Sequence, residues 1–181
     1  MKKICYNIYM GYDNIRIFAE NSNAIESIID SEQTKYTVKA WNYLIDKKNI
    51  TIKDILKIHK IIMQPLRPDI AGKLRNVNVR VTNSTHICPE WREVPDLLNK
   101  WIEHYGKGPQ IVTHRDAGEE ELLRDTINAC RIAHISYEHL HPFQDGNGRT
   151  GRLLMLWHRY IAKLPFEYIK FTERYDYYGW F

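Results

Sequence analysis

Cysteine is scarce and badly placed for bridging: Cys5, Cys88 and Cys130 are odd in number and far apart. No CxxC pair occurs, so neither a disulfide framework nor a thiolate zinc site is expected, and the chain suits a reducing compartment. Long apolar runs are also lacking. Nothing approaches the length of a membrane span, and Asn7 and two tyrosines interrupt the opening MKKICYNIYMGYDN before any leader-like core can form. A soluble, cytoplasmic protein with no membrane partner is expected, although a secreted effector would read the same way. Strong charge of one sign is missing too. The net charge of +4 comes without a dense basic stripe, Lys2-Lys3 and Lys47-Lys48 being isolated pairs. That argues against nucleic acid as a partner and still allows a small anion.

Glycine is sparse as well, nine in all, yet three of them fall within twelve residues, HPFQDGNGRTGR from His141 to Arg152. The rest of the chain gives this cluster its setting. With 181 residues and 44% apolar content the sequence suits one domain, 1–181, able to bury a core without metal or disulfide staples. Residues 32–47 and 51–64 read as helices. The second carries Thr51 and Asp54 at capping-box spacing, then Ile55, Leu56, His59, Ile62 and Met63 at helical intervals, and Pro65 stops it. From Gly72 the pattern alternates through Val77, Val79 and Val81, which predicts a short β-hairpin. Residues 91–105 and 119–138 return to helix. The segment TGRLLMLWHRYIA is apolar on nearly every side, as in a helix at the centre of a bundle, and 170–181 reads as a tyrosine-rich helical tail. The fold class is therefore all-α with one small hairpin.

Asp145-Gly146 and Asn147-Gly148 are strong hairpin-turn dipeptides, but their flanks are helical rather than alternating. Glycines leading into a helix present backbone N–H groups to an anion. Arg149 and Arg152, three apart, share a helix face from which two guanidinium forks can grip adjacent phosphates. A carboxylate at Asp145 suits Mg²⁺ beside those phosphates. His141, with an ordinary pKa of about 6.5, suits a general base. The combination matches phosphoryl-type transfer, in which positioning and charge neutralisation supply most of the rate. His139 and His141 lack a third ligand for metal. His59, His86, His104, His114, His134 and His158 read as packing residues with polar tips.

HPFQDGNGRTGR resembles the signature of the Fic family, HxFx(D/E)GNGRxxR, at every fixed position. The likeness extends to DILKIHKIIM, to GKLRNVNV as the family's flap hairpin, and to the tail. It implies a Fic-type helical bundle and a protein adenylyltransferase moving AMP from ATP to a Tyr, Thr or Ser hydroxyl. His141 would deprotonate that hydroxyl and Asp145 would hold Mg²⁺, with Mn²⁺ as an alternative. Gly146, Asn147 and Gly148 would cradle phosphate, Arg149 would take the γ-phosphate and Arg152 the β-phosphate, and Phe143 would anchor the loop. Tyr178 corresponds to a position that packs against adenine. The flap, about 72–87 with Arg75, Val77, Val79 and Val81, would hold an unidentified target protein as an added strand. Family members often dimerise, so a second copy of this chain is among the expected partners.

A second likeness lies upstream. SNAIES resembles the class II inhibitory motif (S/T)xxxE(G/N), with Ser22 and Glu26 in place and Ser27 where Gly or Asn is usual. It implies an inhibitory helix over about 18–30 whose Glu26 pairs with Arg149 and blocks the γ-phosphate; in some relatives the same glutamate serves AMP removal. Two other readings compete. One is phosphotransfer as in the death-on-curing branch, which departs from the motif around the second glycine and first arginine that this chain keeps. The other is an ATP-sensing module without catalysis.

Overall fold

The computed structural model describes residues 11–81, 86–111 and 118–181. Among them are seven α-helices: α1 Tyr12–Ile25, α2 Ser31–Leu44, α3 Ile52–Met63, α4 Val94–Tyr105, α5 Glu119–Leu140, α6 Asn147–Ile161 and α7 Arg174–Tyr178, the last entered through a 3-10 turn at Phe171–Glu173.

α6 is the axis. Every residue from Arg149 to Arg159 is buried, as its all-round apolarity demands. α5 and α3 pack along it, α4 closes over α5, and α1 reaches it after packing on α2. Trp41, Trp157, Tyr137 and Phe143 are fully buried with Ile55, Ile58, Leu98 and Leu153. Each tryptophan hides on the order of 200 Å², about 5 kcal/mol of transfer free energy. Its indole N–H must then find an acceptor. Trp157 donates to the Lys47 carbonyl (3.2 Å) and Trp101 to that of Ala133 (3.1 Å).

Local chemistry fixes the helix ends. Thr51 and Asp54 form the expected capping box: Oδ2 of Asp54 accepts from the Thr51 N–H at 2.9 Å and from its hydroxyl at 2.6 Å. Burial alone would raise the Asp54 pKa, but these bonds, with Tyr43 and Lys47, hold it down at about 2. α5 opens with Glu119, Glu120 and Glu121, acids that favour the positive end of a helix dipole.

Two expectations change. The N-terminal helix runs Tyr12–Ile25, earlier than 18–30, because Ser27 takes a left-handed φ of 60° and Ile28 donates to Asn23 (3.0 Å), a Schellman stop that leaves Glu26 as the cap. The family's Gly or Asn at that position suits this φ. The hairpin over about 72–87 does not form paired strands among the described residues, and its tip, 82–85, lies outside them. Side chains tie the two arms instead. Asn78 donates to Glu90 and accepts from the Trp91 N–H (both 2.9 Å), while Arg75 caps the Val77 and Pro89 carbonyls.

Candidate active site

α5 ends by turning into its own last residues. His141, the C-cap, sits in the left-handed region (φ 48°, ψ 62°) and its N–H donates to the Tyr137 carbonyl. Nδ1 lies 3.1 Å from the Glu138 carbonyl. A carbonyl can only accept, so Nδ1 carries the proton and Nε2 keeps its lone pair. Burial lowers the imidazole pKa, keeping it neutral and ready to take a proton near pH 7.

The loop behind His141 is braced from three sides. Arg75 donates from Nε to the His141 carbonyl (2.8 Å) and from its backbone N–H to Pro142 (3.0 Å). Phe143, fully buried, stacks on His59 with ring centroids 3.6 Å apart. His59 Nε2 donates to the Asp145 carbonyl and its Nδ1 accepts from the Gly72 N–H, both at 2.9 Å. That neutral tautomer agrees with a pKa lowered to about 4 by burial. The Asn147 amide bonds both to the N–H and to the carbonyl of Phe143 (2.9 and 2.8 Å), so its side chain closes the loop while its backbone N–H begins α6.

Gly146, at φ 77°, is the left-handed N-cap of α6, and a Cβ there would fall 2.6 Å from Met63 Sδ. No side chain caps the first turn, so its N–H groups remain available to an anion. The Asp145 carboxylate is half exposed beside them, bonded through Oδ1 to the Gly146 N–H (2.6 Å).

The two arginines part company. Arg149 turns toward α3, with Nη2 3.1 Å from Met63 Sδ and 4.0 Å from Asp145 Oδ1; its Nε and Nη1 are buried without a protein partner among the described residues. Buried guanidinium donors left open ask for an anion. Arg152 is fully engaged. Nε donates to Ser22 Oγ (3.0 Å), Nη2 to the Ser22 carbonyl (2.9 Å) and to Glu26 Oε1 (2.7 Å), and Nη1 to the Tyr177 hydroxyl (3.3 Å).

The expected Glu26–Arg149 pairing is thus corrected: Glu26 pairs with Arg152. α1 crosses α6 at Ser22, one turn in from the glycines, and its cap falls on the second arginine. Burial would raise the Glu26 pKa, but Arg152 outweighs it and keeps the carboxylate charged. That carboxylate lies directly over Gly148, where an added Cβ would overlap Oε1 and approach Arg152 Nη1 to 2.8 Å. An internal anion therefore sits at the N-terminus of α6.

Tyr178 lines the same cavity of about 470 Å³, donating to the Ile25 carbonyl (3.0 Å). Val77 is exposed and Val81 lines the cavity rim. Arg75, expected on the target-docking surface, is instead buried and serves the His141 loop. Five lining residues were given no site role by sequence reasoning: Arg80, Glu138, Gln144, Tyr177 and Phe181. Arg80 and Phe181 carry no local signal. Glu138 stands three before His141 at the end of a long helix and looked like an ordinary helix acid.

A family profile described as Fic/DOC family matches residues 49–158, more than half of the chain. A protein adenylyltransferase Fic of Nematostella vectensis is 32% identical over 171 residues, 90% of this chain and 37% of that protein. One from Culex quinquefasciatus is 30% identical over 141 residues, 76% of this chain and 25% of that protein. The chain thus spans well under half the length of these relatives. Among solved structures, Fic-1 of C. elegans superposes with a TM-score of 0.74 at 20% identity, covering 99% of this chain and 58% of that one. A Fic domain protein of Bacteroides thetaiotaomicron gives 0.72 at 17% identity, covering 92% and 70%. Those structures share the helical fold, and the profile match over residues 49–158 shows that this chain belongs to the Fic/DOC family.

Proposed function

We propose that this Fic domain is a protein adenylyltransferase, moving AMP from ATP to a hydroxyl of a target protein, and that Glu26 holds it in check. One observation carries the reading. A carboxylate seated over Gly148 and on Arg152 supports an anion site there, and His141, with an Nε2 lone pair, lines the same cavity.

In the active arrangement phosphate oxygens replace Glu26 on Arg152 and reach the open donors of Arg149, with the first-turn N–H groups of α6 beneath them. His141 Nε2 takes the hydroxyl proton while that oxygen attacks the α-phosphorus. The bond from the α-phosphorus to the bridging oxygen breaks, and pyrophosphate leaves, its charge held by the two guanidinium groups. A single half-exposed carboxylate beside a phosphate cradle fits Mg²⁺ or Mn²⁺, which is commonly held by one acid and the substrate's own phosphates. Asp145 would hold it, and the ion would neutralise triphosphate charge. The arm of residues 77–81, at the cavity rim, would align the target segment through backbone contacts.

The test uses the Glu26→Gly protein with ATP labelled at either the α- or the γ-phosphate. α-Label on protein, abolished by His141→Ala, is expected. γ-Label would indicate phosphotransfer, and no label would leave a nucleotide-sensing domain.

A further inference from the structure

Glu138 is the one buried carboxyl of the site without an assigned task. It lines the cavity at 8% exposure, and its Oε1 has no hydrogen-bond partner among the described residues. Its Oε2 lies 4.0 Å from His141 Nδ1. Gly151 makes room for it, since a Cβ there would overlap Oε1. A buried carboxyl with no donor is costly, and an apolar side chain would fill the space at less cost. Its backbone carbonyl already fixes the Nδ1 proton, so one residue meets His141 twice.

We propose that Glu138 is a positioning residue for His141: its carboxyl, backed on Gly151 and facing Nδ1, supplies the negative charge that steadies the imidazolium formed during transfer. This rests on the adenylyl-transfer reading above. The hydroxyl proton goes to Nε2, Nδ1 keeps its own proton on the Glu138 carbonyl, and Glu138 takes no proton in the step. Ionised, it faces a cation; protonated, it offers no charge.

The groups around it set which form prevails. Arg152 from α6 favours the carboxylate. Glu26 beyond the end of α1 opposes it, and Tyr137 of α5, Tyr177 of α7 and Cys88 after the flap also feel its charge. Burial dominates and raises the Glu138 pKa to about 8, so the acid is mostly neutral at pH 7 while Glu26 is seated. Removing Glu26 takes away an opposing charge and lowers that value.

The test compares Glu26→Gly with Glu26→Gly/Glu138→Gln, following kcat against pH and the His141 ring resonance by NMR titration. The parent should show two rising steps in kcat, the upper one at or below about pH 8, and a secondary inflection in the His141 titration at the same pH. The Gln variant should lose both, with kcat above that step down by about tenfold to a thousandfold for a charge 4 Å away and KM for ATP unchanged. Superimposable His141 titrations would overturn the proposal. If the Gln protein does not fold, Glu26→Gly/Glu138→Asp keeps a carboxyl and must retain the upper inflection; its loss overturns the proposal equally. Should the parent transfer no AMP, the NMR titration still reports whether Glu138 faces His141, separating this failure from that of the functional reading.

Discussion

Replacing Glu26 by glycine removes one charge-assisted hydrogen bond, 2.7 Å from Oε1 to Arg152 Nη2. Bonds to charged groups are worth about 1.5–3 kcal/mol. The Glu26 side chain is 37% exposed, so water already screens part of that interaction and about 1.5–2 kcal/mol is the applicable range. At about 1.4 kcal/mol per decade the variant should bind ATP roughly 10–30-fold more tightly and show a similar gain in kcat/KM. Glu26→Gln keeps the shape and loses the charge, so it should recover about 1 kcal/mol, or roughly fivefold. Calorimetry with Mg-ATP and initial rates of α-label incorporation measure both. Adenosine, which offers Arg152 no phosphate, should bind the three proteins alike. Equal ATP affinity and equal rates in wild type and Glu26→Gly would refute competition for Arg152.

The remaining predictions concern the scaffold. Arg75→Ala frees the His141, Val77 and Pro89 carbonyls while the backbone bond to Pro142 remains; a base displaced by about 1 Å should lower kcat about 100-fold with little change in ATP binding, measured by single-turnover transfer. Ser27→Gly relieves a non-glycine residue at φ 60°, so it should raise stability by about 0.5–1 kcal/mol and the melting temperature by roughly 1–4 °C; a calorimetric scan checks this, and no gain would argue against strain there. Asp54 has a folded pKa of about 2 against an ordinary 3.8. Its contribution is present above the unfolded value and is lost as pH falls through the folded one. Asp54→Asn should therefore cost about 2 kcal/mol at pH 7, with a penalty that shrinks between about pH 4 and pH 2, read from urea midpoints.

Helix positions were legible because their causes are local. Thr51 and Asp54 announced α3, and a segment apolar on all sides announced α6 at the centre. The glycine-rich loop of the candidate site was legible because its glycines and charges lie within one stretch. What could not be read was direction. Arg149 and Arg152 differ by three residues, and spacing gives no sign of which one α1 will cross; that depends on where Ser22 meets α6, a contact spanning 130 residues. Arg75 was misjudged for the same reason. An arginine in an alternating segment looks like surface, and only the fold reveals the carbonyls of His141 and Pro89 around it. The hairpin pattern of Val77, Val79 and Val81 gave way to side-chain ties through Asn78, whose amide competes with a backbone ladder.

The division between the two arginines has a consequence for regulation. Arg149 keeps buried donors without a protein partner among the described residues, whereas Arg152 bonds Ser22, Glu26 and Tyr177. Satisfying a guanidinium internally offsets part of the penalty of burying it, so under the proposed brake the closed arrangement would not need nucleotide to hold Arg152. On the proposed reading, an arriving triphosphate would meet Arg149 with open donors and Arg152 occupied, and would displace one bond to a partly exposed carboxylate rather than unfold α1. Ser22 and Tyr177 also bond the Arg152 guanidinium, so displacing Glu26 would not strand a buried charge. A brake of the proposed kind would open over about 2 kcal/mol, less than the binding energy of a micromolar ligand.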